Sequence, residues 1–184
     1  MTTRGLLGVI GFATLLSACG GGGRFGYART YTYYGNEEHF ARQANNDAVY
    51  DEVRRLPDHF NHQLLSWFGV VTDVAAGPNG AARIGLQLRT HQERHLCEDE
   101  TDGSCRVTIS EADGGAFTVV IDHLPPEDQL GENRMQAGSL IHVYGRLVPG
   151  EYDANGGPVL HSEFYRHWPR GQYVTTAARG NWRR

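Results

Sequence analysis

Leu140-Ile141-His142-Val143-Tyr144-Gly145-Arg146-Leu147 is the stretch whose pattern sets the architecture. Ile141 and Val143 fall two residues apart, the period that puts successive side chains on one face of a strand. Gly145 then suits a sharp bend at a barrel corner, because a residue without Cβ lets the strand coil without a side-chain clash. A strand that is apolar on one face and bends midway belongs to a small, closed sheet.

The same period recurs on both sides of this stretch. Leu64 to Val74 reads as a strand and ends in the turn Gly77-Pro78-Asn79-Gly80. Ile84, Leu86 and Leu88 then alternate with Gly85, Gln87 and Arg89, so the two segments predict a hairpin. A polar excursion from Thr90 to Ser104 interrupts the pattern; Val107 and Ile109 resume it, Asp113-Gly114-Gly115 turns, and Phe117 to Ile121 extends again. Pro125 and Pro126, followed by Glu127 and Asp128, permit only a turn or a short helix. The loop Asp153-Ala154-Asn155-Gly156-Gly157 separates the 140–147 strand from a last one over Val159 to Trp168. Five to six short strands, with a helical or irregular element before the penultimate one, predict a mainly β fold, an OB-like closed barrel; closure removes the exposed edges that promote aggregation. An open sandwich is the alternative.

The other end of the chain supplies an address. Arg4 precedes an apolar run from Leu6 to Leu16, and Leu16-Ser17-Ala18-Cys19 places small residues before a cysteine, the form of a bacterial lipoprotein signal over residues 1–18. The run is shorter than the roughly 20 residues a spanning helix needs. Cys19 is therefore the expected lipidation site, its thiol taking a diacylglyceryl group that anchors the chain in a membrane. Gly20, next to it, is not an acidic retention residue, which favours the periplasmic face of the outer membrane. Residues 19–35, rich in Gly and Tyr, read as a flexible tether; 36–57 as one N-terminal α-helix with Asn36 as its cap and Pro57 as its stop; 62–170 as the barrel domain; and 171–184 as a C-terminal tail.

Seventeen Arg and no Lys face 21 acids, a formal charge of −4 that becomes −5 once residues 1–18, and with them Arg4, are removed. That balance is read as excluding nucleic acid as a partner. The expected partners are the membrane, through the lipid on Cys19, and an envelope protein or a glycan; no cofactor is expected.

Export to an oxidising compartment predicts a disulfide between Cys97 and Cys105. The rival reading groups His91, His95, Cys97 and Cys105 as metal ligands, although their spacing matches no common zinc pattern. Glu98, Asp99, Glu100 and Asp102 in the same loop are hard oxygen ligands of the calcium type, but without EF-hand spacing they read as a solvated loop. Ser110, Ser139 and Ser162 are the candidate nucleophiles, none in a recognisable elbow, so no catalytic activity is expected. Period two would place His161, Glu163, Tyr165 and His167 on one face of the last strand, with Leu160, Phe164 and Trp168 toward the core.

The lipoprotein signal, the strand Trp67-Phe68-Gly69-Val70-Val71, the segment Gly138 to Leu147 and the closing Trp168-Pro169, in that order, resemble the Slp family of bacterial outer-membrane lipoproteins. The resemblance covers residues 64–169 by pattern and implies an outer-membrane-anchored barrel with no established enzymatic activity. The expected function is thus a non-catalytic structural or binding role in the envelope. The alternative is an envelope metal-binding protein or enzyme using His91, His95 and His123, or the row from His161 to His167.

Overall fold

Alternating apolar residues close five segments of this chain into a barrel. A computed structural model describes residues 27–180 apart from 100 and 102; Cys19 and the signal expected over residues 1–18 lie outside the described residues. In chain order the elements are β1 (Tyr27–Thr30), α1 (Glu37–Ala41), α2 (Tyr50–Arg55), α3 (Pro57–Phe60), β2 (Leu65–Ala76), β3 (Ala82–Arg89) and β4 (Arg94–Cys97). There follow β5 (Val107–Ile109), β6 (Ala116–Ile121), α4 (Pro126–Gln129), β7 (Leu140–Tyr152), β8 (Pro158–Trp168) and β9 (Tyr173–Thr175). The closed barrel runs β2-β3-β6-β8-β7, antiparallel throughout except for the β6–β8 pair, which is parallel. This is the expected mainly β, OB-like barrel. Among the described residues no helix is long and apolar enough to cross a membrane.

Leu65, Trp67, Val71, Ile84, Leu86, Phe117, Val119, Ile141, Val143 and Leu160 fill the interior. Gly145 stands where the 140–147 pattern required a bend: a Cβ there would lie 2.8 Å from the His161 carbonyl oxygen, so only glycine lets β7 and β8 approach so closely. Part of the outer surface is also covered. Phe68, Leu140 and Trp168 point away from the interior and form a second apolar cluster with Val107 and Ile109, beneath the two-stranded pieces β1–β4 and β5–β9.

Four expectations are corrected. The single helix over 36–57 is three short ones, because the Asn45 and Asn46 side chains bind the local backbone: Asn46 Nδ2 donates to the Ala41 and Ala44 carbonyls, and Asn45 Oδ1 accepts the Asp47 N–H. Residues 27–35, expected as flexible tether, include strand β1, paired with β4. Val107–Ile109 is a strand outside the barrel, parallel to β9. Finally, the register of β7 against β8 passes from Tyr144 opposite Phe164 to Gly145 opposite Ser162, so Glu163 is a bulge. The extra residue flips the remainder of β8, and the row from His161 to His167 does not share a face. Phe164 and Trp168 join the outer clusters, while Tyr165 turns toward the barrel core.

Candidate functional site

A buried carboxylate fastens the N-terminal segment to the barrel. Glu37, fully buried in the first turn of α1, is out of reach of water and must be satisfied by protein donors. Its Oε1 accepts from Tyr31 OH, from His142 Nδ1 at 3.0 Å and from Tyr144 OH at 3.3 Å. Its Oε2 accepts from the Tyr34 N–H at 3.0 Å and from Arg166 Nη1 at 3.2 Å. Burial acts to raise the carboxyl, but the His142, Tyr31 and Tyr34 bonds outweigh it and hold the group at about 2. Burial pushes His142 down, against the pull of Glu37, so the ring is neutral. Arg166 completes the seat, its guanidinium lying 5.3 Å from the Tyr31 ring centre and 4.6 Å from that of Trp168. The other face of His142 stacks on Phe68 at 3.8 Å between ring centres, and Nε2 lies 2.8 Å from Ser66 Oγ. Ser66 and His142 open on a cavity of about 630 Å³.

The second concavity is a groove of about 500 Å³ where β3 and β6 meet the β7–β8 loop. Asp73, Arg83, Gln87, Thr118, Tyr152 and Asn155 line it. Gly85 gives it depth: a Cβ there would stand 2.1 Å from Asp73 Oδ2, so the missing side chain leaves Asp73 free to lie across β3. Asp153 Oδ1 accepts the Asn155 N–H at 2.8 Å and the Gly157 N–H at 2.7 Å, which shapes the loop. Arg83 pairs with Glu151 at 3.3 Å, an exposed bridge of little energetic weight.

The residues singled out from sequence distribute as follows. Cys97 and Cys105 are joined by a disulfide, so the thiols are not available to the set His91, His95, Cys97, Cys105. His91 and His95 do meet, Nε2 to Nε2 at 3.3 Å. His95 Nδ1 accepts the Thr108 N–H at 3.1 Å, which assigns its proton to Nε2, donated to His91. Burial pushes His91 down to about 3 and, with the Arg166 charge adding to it, His95 to about 4, so this is a neutral pair. His123 stands apart from it, against the Asn79 carbonyl. His161 pairs with Asp122 at 2.9 Å, whereas Tyr165 OH and His167 Nδ1 both bond Asp128 of α4 at 2.6 Å. Among the described residues no group of three or more His, Cys, Asp or Glu could hold a metal ion. In the acidic loop Asp99 Oδ1 accepts from the N–H and hydroxyl of Thr101; Glu100 and Asp102 lie outside the described residues. Ser139 Oγ accepts the Gln136 N–H, Ser110 Oγ bridges Thr90 and Ala112, and Ser162 Oγ is buried without a partner.

Sequence reasoning missed Glu37, Ser66 and His142. His142 and Tyr144 occupy the outward phase of β7, where polar residues ordinarily meet solvent, and Glu37 has the position of an ordinary acid in a helix first turn. The one available signal was phase: Ser66, His142 and Tyr144 all fall on the same outer face of paired strands.

No family model and no curated protein matches this chain. Among solved structures it is similar to a small single-stranded DNA-binding protein from Streptomyces coelicolor, at 17% identity and TM-score 0.34 over 57% of this chain and 91% of that one. It is similar also to the protein priB from Ralstonia solanacearum, at 11% identity and TM-score 0.31 over 57% and 97%. A third is a deletion mutant of the single-stranded DNA binding protein from Thermus aquaticus, at 23% identity and TM-score 0.30 over 59% and 52%. These likenesses concern the fold. They nevertheless correct one expectation: two of the three solved structures are of single-stranded DNA-binding proteins, so the exclusion of nucleic acid drawn from net charge is withdrawn.

Proposed function

We propose that this chain is a lipid-anchored protein of the bacterial outer membrane, of the Slp type, whose barrel is held close to the bilayer and presents the β3–β6 groove to a partner in the envelope. The observation that carries this reading is the seat of Glu37. From Tyr27 on, the segment that follows Cys19 in sequence is part of the folded unit, locked to β7 and β8 by a buried ionic network. The few residues from Cys19 to Tyr27 reach at most ~28 Å when fully extended, at roughly 3.5 Å per residue. Anchoring at Cys19 would therefore hold the barrel beside the membrane rather than on a long leash.

The groove favours a hydroxyl-rich ligand. Carboxylate, amide and hydroxyl groups from Asp73, Gln87, Asn155 and Thr118 alternate donors and acceptors, and Tyr152, half exposed, offers a ring face at the rim. Saccharides are bound by that combination of planar hydrogen-bonding groups and an aromatic face, and this strand pair with its loop is where OB barrels take their ligands. The test is calorimetry of the acylated full chain in detergent with two probes, an N-acetylglucosamine tetrasaccharide and an oligodeoxythymidylate. Binding of the saccharide, weakened tenfold or more by Asp73→Ala, supports the reading. Binding of the oligonucleotide alone, or of neither probe, overturns it.

A further inference from the structure

We propose that Ser66 is a nucleophile, activated by His142 and oriented through it by Glu37, that accepts the acyl group of an ester. The three side chains form one relay. Ser66 Oγ lies 2.8 Å from His142 Nε2, and His142 Nδ1 lies 3.0 Å from Glu37 Oε1. The proton positions follow from the partners. Glu37 also accepts from Tyr31, Tyr34 and Arg166, so it is the ionised acceptor and Nδ1 of His142 carries the proton. Nε2 is left with a lone pair facing the Ser66 hydroxyl, the ground state that serine–histidine–carboxylate catalysis requires.

The ring is held in that pose. Phe68 stacks on one face, Tyr144 OH lies 3.2 Å from Nδ1, and the side chain is almost fully buried, so His142 has no room to rotate. Ser66 is the solvent-side member: it is only half-buried, and with His142 it lines the cavity of about 630 Å³, where Tyr33, Val49 and Leu88 share the walls with the charged Asp47, Arg89 and Glu93. Walls that mix aromatic, aliphatic and charged groups suit an ester with an apolar acyl or aryl part and a polar remainder. This inference rests on a site distinct from the β3–β6 groove and departs from the expectation of a chain without catalytic chemistry.

In the step itself, Ser66 Oγ bonds to the ester carbonyl carbon while its proton passes to His142 Nε2, leaving a tetrahedral intermediate. Collapse breaks the bond to the alcohol oxygen, which takes the proton from Nε2 and departs. Water, giving a proton to the same Nε2, then attacks the acyl carbonyl. The carboxylic acid leaves as Ser66 Oγ regains the proton. Glu37 keeps its charge throughout; it is a positioning residue that stabilises the imidazolium.

The test treats the full chain in detergent with a fluorophosphonate and locates the adduct by peptide mass spectrometry, alongside p-nitrophenyl butyrate hydrolysis. The expected result is an adduct on Ser66, absent in Ser66→Ala with hydrolysis lost, and labelling slowed about a hundredfold or more in Glu37→Gln. Because Glu37→Gln also loosens the seat, Ser66→Cys supplies an independent reading. Its thiol should react with iodoacetamide at pH 6 far faster than a thiol of ordinary pKa, which is scarcely ionised there. A folded wild type with no adduct at Ser66, hydrolysis unchanged in Ser66→Ala, or an ordinary thiol in Ser66→Cys overturns the proposal.

Discussion

His142 and Glu37, 105 residues apart in the chain, meet inside the protein with Nδ1 3.0 Å from Oε1. One belongs to the barrel and the other to the segment that leads toward Cys19, so this contact decides whether that segment is a leash or part of the fold. Tyr31, Tyr34, Tyr144 and Arg166 converge on the same carboxylate from both sides of the junction.

Acid should release the segment. Glu37 falls from 4.5 to about 2 on folding, so its contribution is complete above about pH 4.5 and is lost as pH falls through that window toward 2. At roughly 1.4 kcal/mol per pKa unit the seat is worth about 3 kcal/mol. Urea unfolding at stepped pH should show wild type losing about that much more stability than Glu37→Gln between about pH 5 and 2. Parallel curves for the two proteins would mean that Glu37 does not hold the segment.

His91 and His95 act in a higher window. Both rings are depressed on folding, to about 3 and about 4, because burial opposes their charge. The unfolded chain takes up these protons first, near 6.5, so stability is full above that value and declines as pH falls toward 4. His91→Phe should flatten the stability curve between about pH 6.5 and 4, on top of a pH-independent offset from the lost His95 hydrogen bond. An equally steep decline in that variant would place the acid sensitivity elsewhere.

The disulfide closes a short loop between β4 and the approach to β5, with a sequence separation of 8. Loop-closure entropy for that span corresponds to about 2.5 kcal/mol. Cys105→Ser should lower the unfolding free energy by that order, and dithiothreitol should lower wild type but not the variant. A variant as stable as wild type would show that the β1–β4 layer does not depend on the bridge.

Gly145 admits no side chain. With its Cβ position 2.8 Å from the His161 carbonyl oxygen, Gly145→Ala must push β7 and β8 apart next to the Glu163 bulge. The expected cost is about 1–3 kcal/mol, read as a shifted urea midpoint with unchanged slope. A neutral substitution would mean that the corner bends without needing glycine.

What was legible in the sequence was local. Ile84 and Leu86, or Ile141 and Val143, carry their core phase in their own spacing, and Gly145 marked its bend, so the barrel followed. Cys97 and Cys105 were readable because they lie close in sequence. The row from His161 to His167 failed because one bulged residue, Glu163, reverses every later phase, and nothing in the spacing marks a bulge. The helix over 36–57 failed because Asn45 and Asn46 prefer the local backbone to a helix interior. The sites were the least visible part: Glu37 with His142, and Asp73 with Asn155, stand far apart in the chain and meet only in the tertiary fold.

Anchoring through Cys19 is read from intact mass spectrometry of membrane-extracted protein, with Cys19→Ala as the comparison. The expected product is a chain beginning at Cys19, heavier by a diacylglyceryl group and lighter by the hydrogens of the Cys97–Cys105 disulfide, with Cys19→Ala unprocessed. A wild-type chain that retains residues 1–18 and carries no lipid would contradict it.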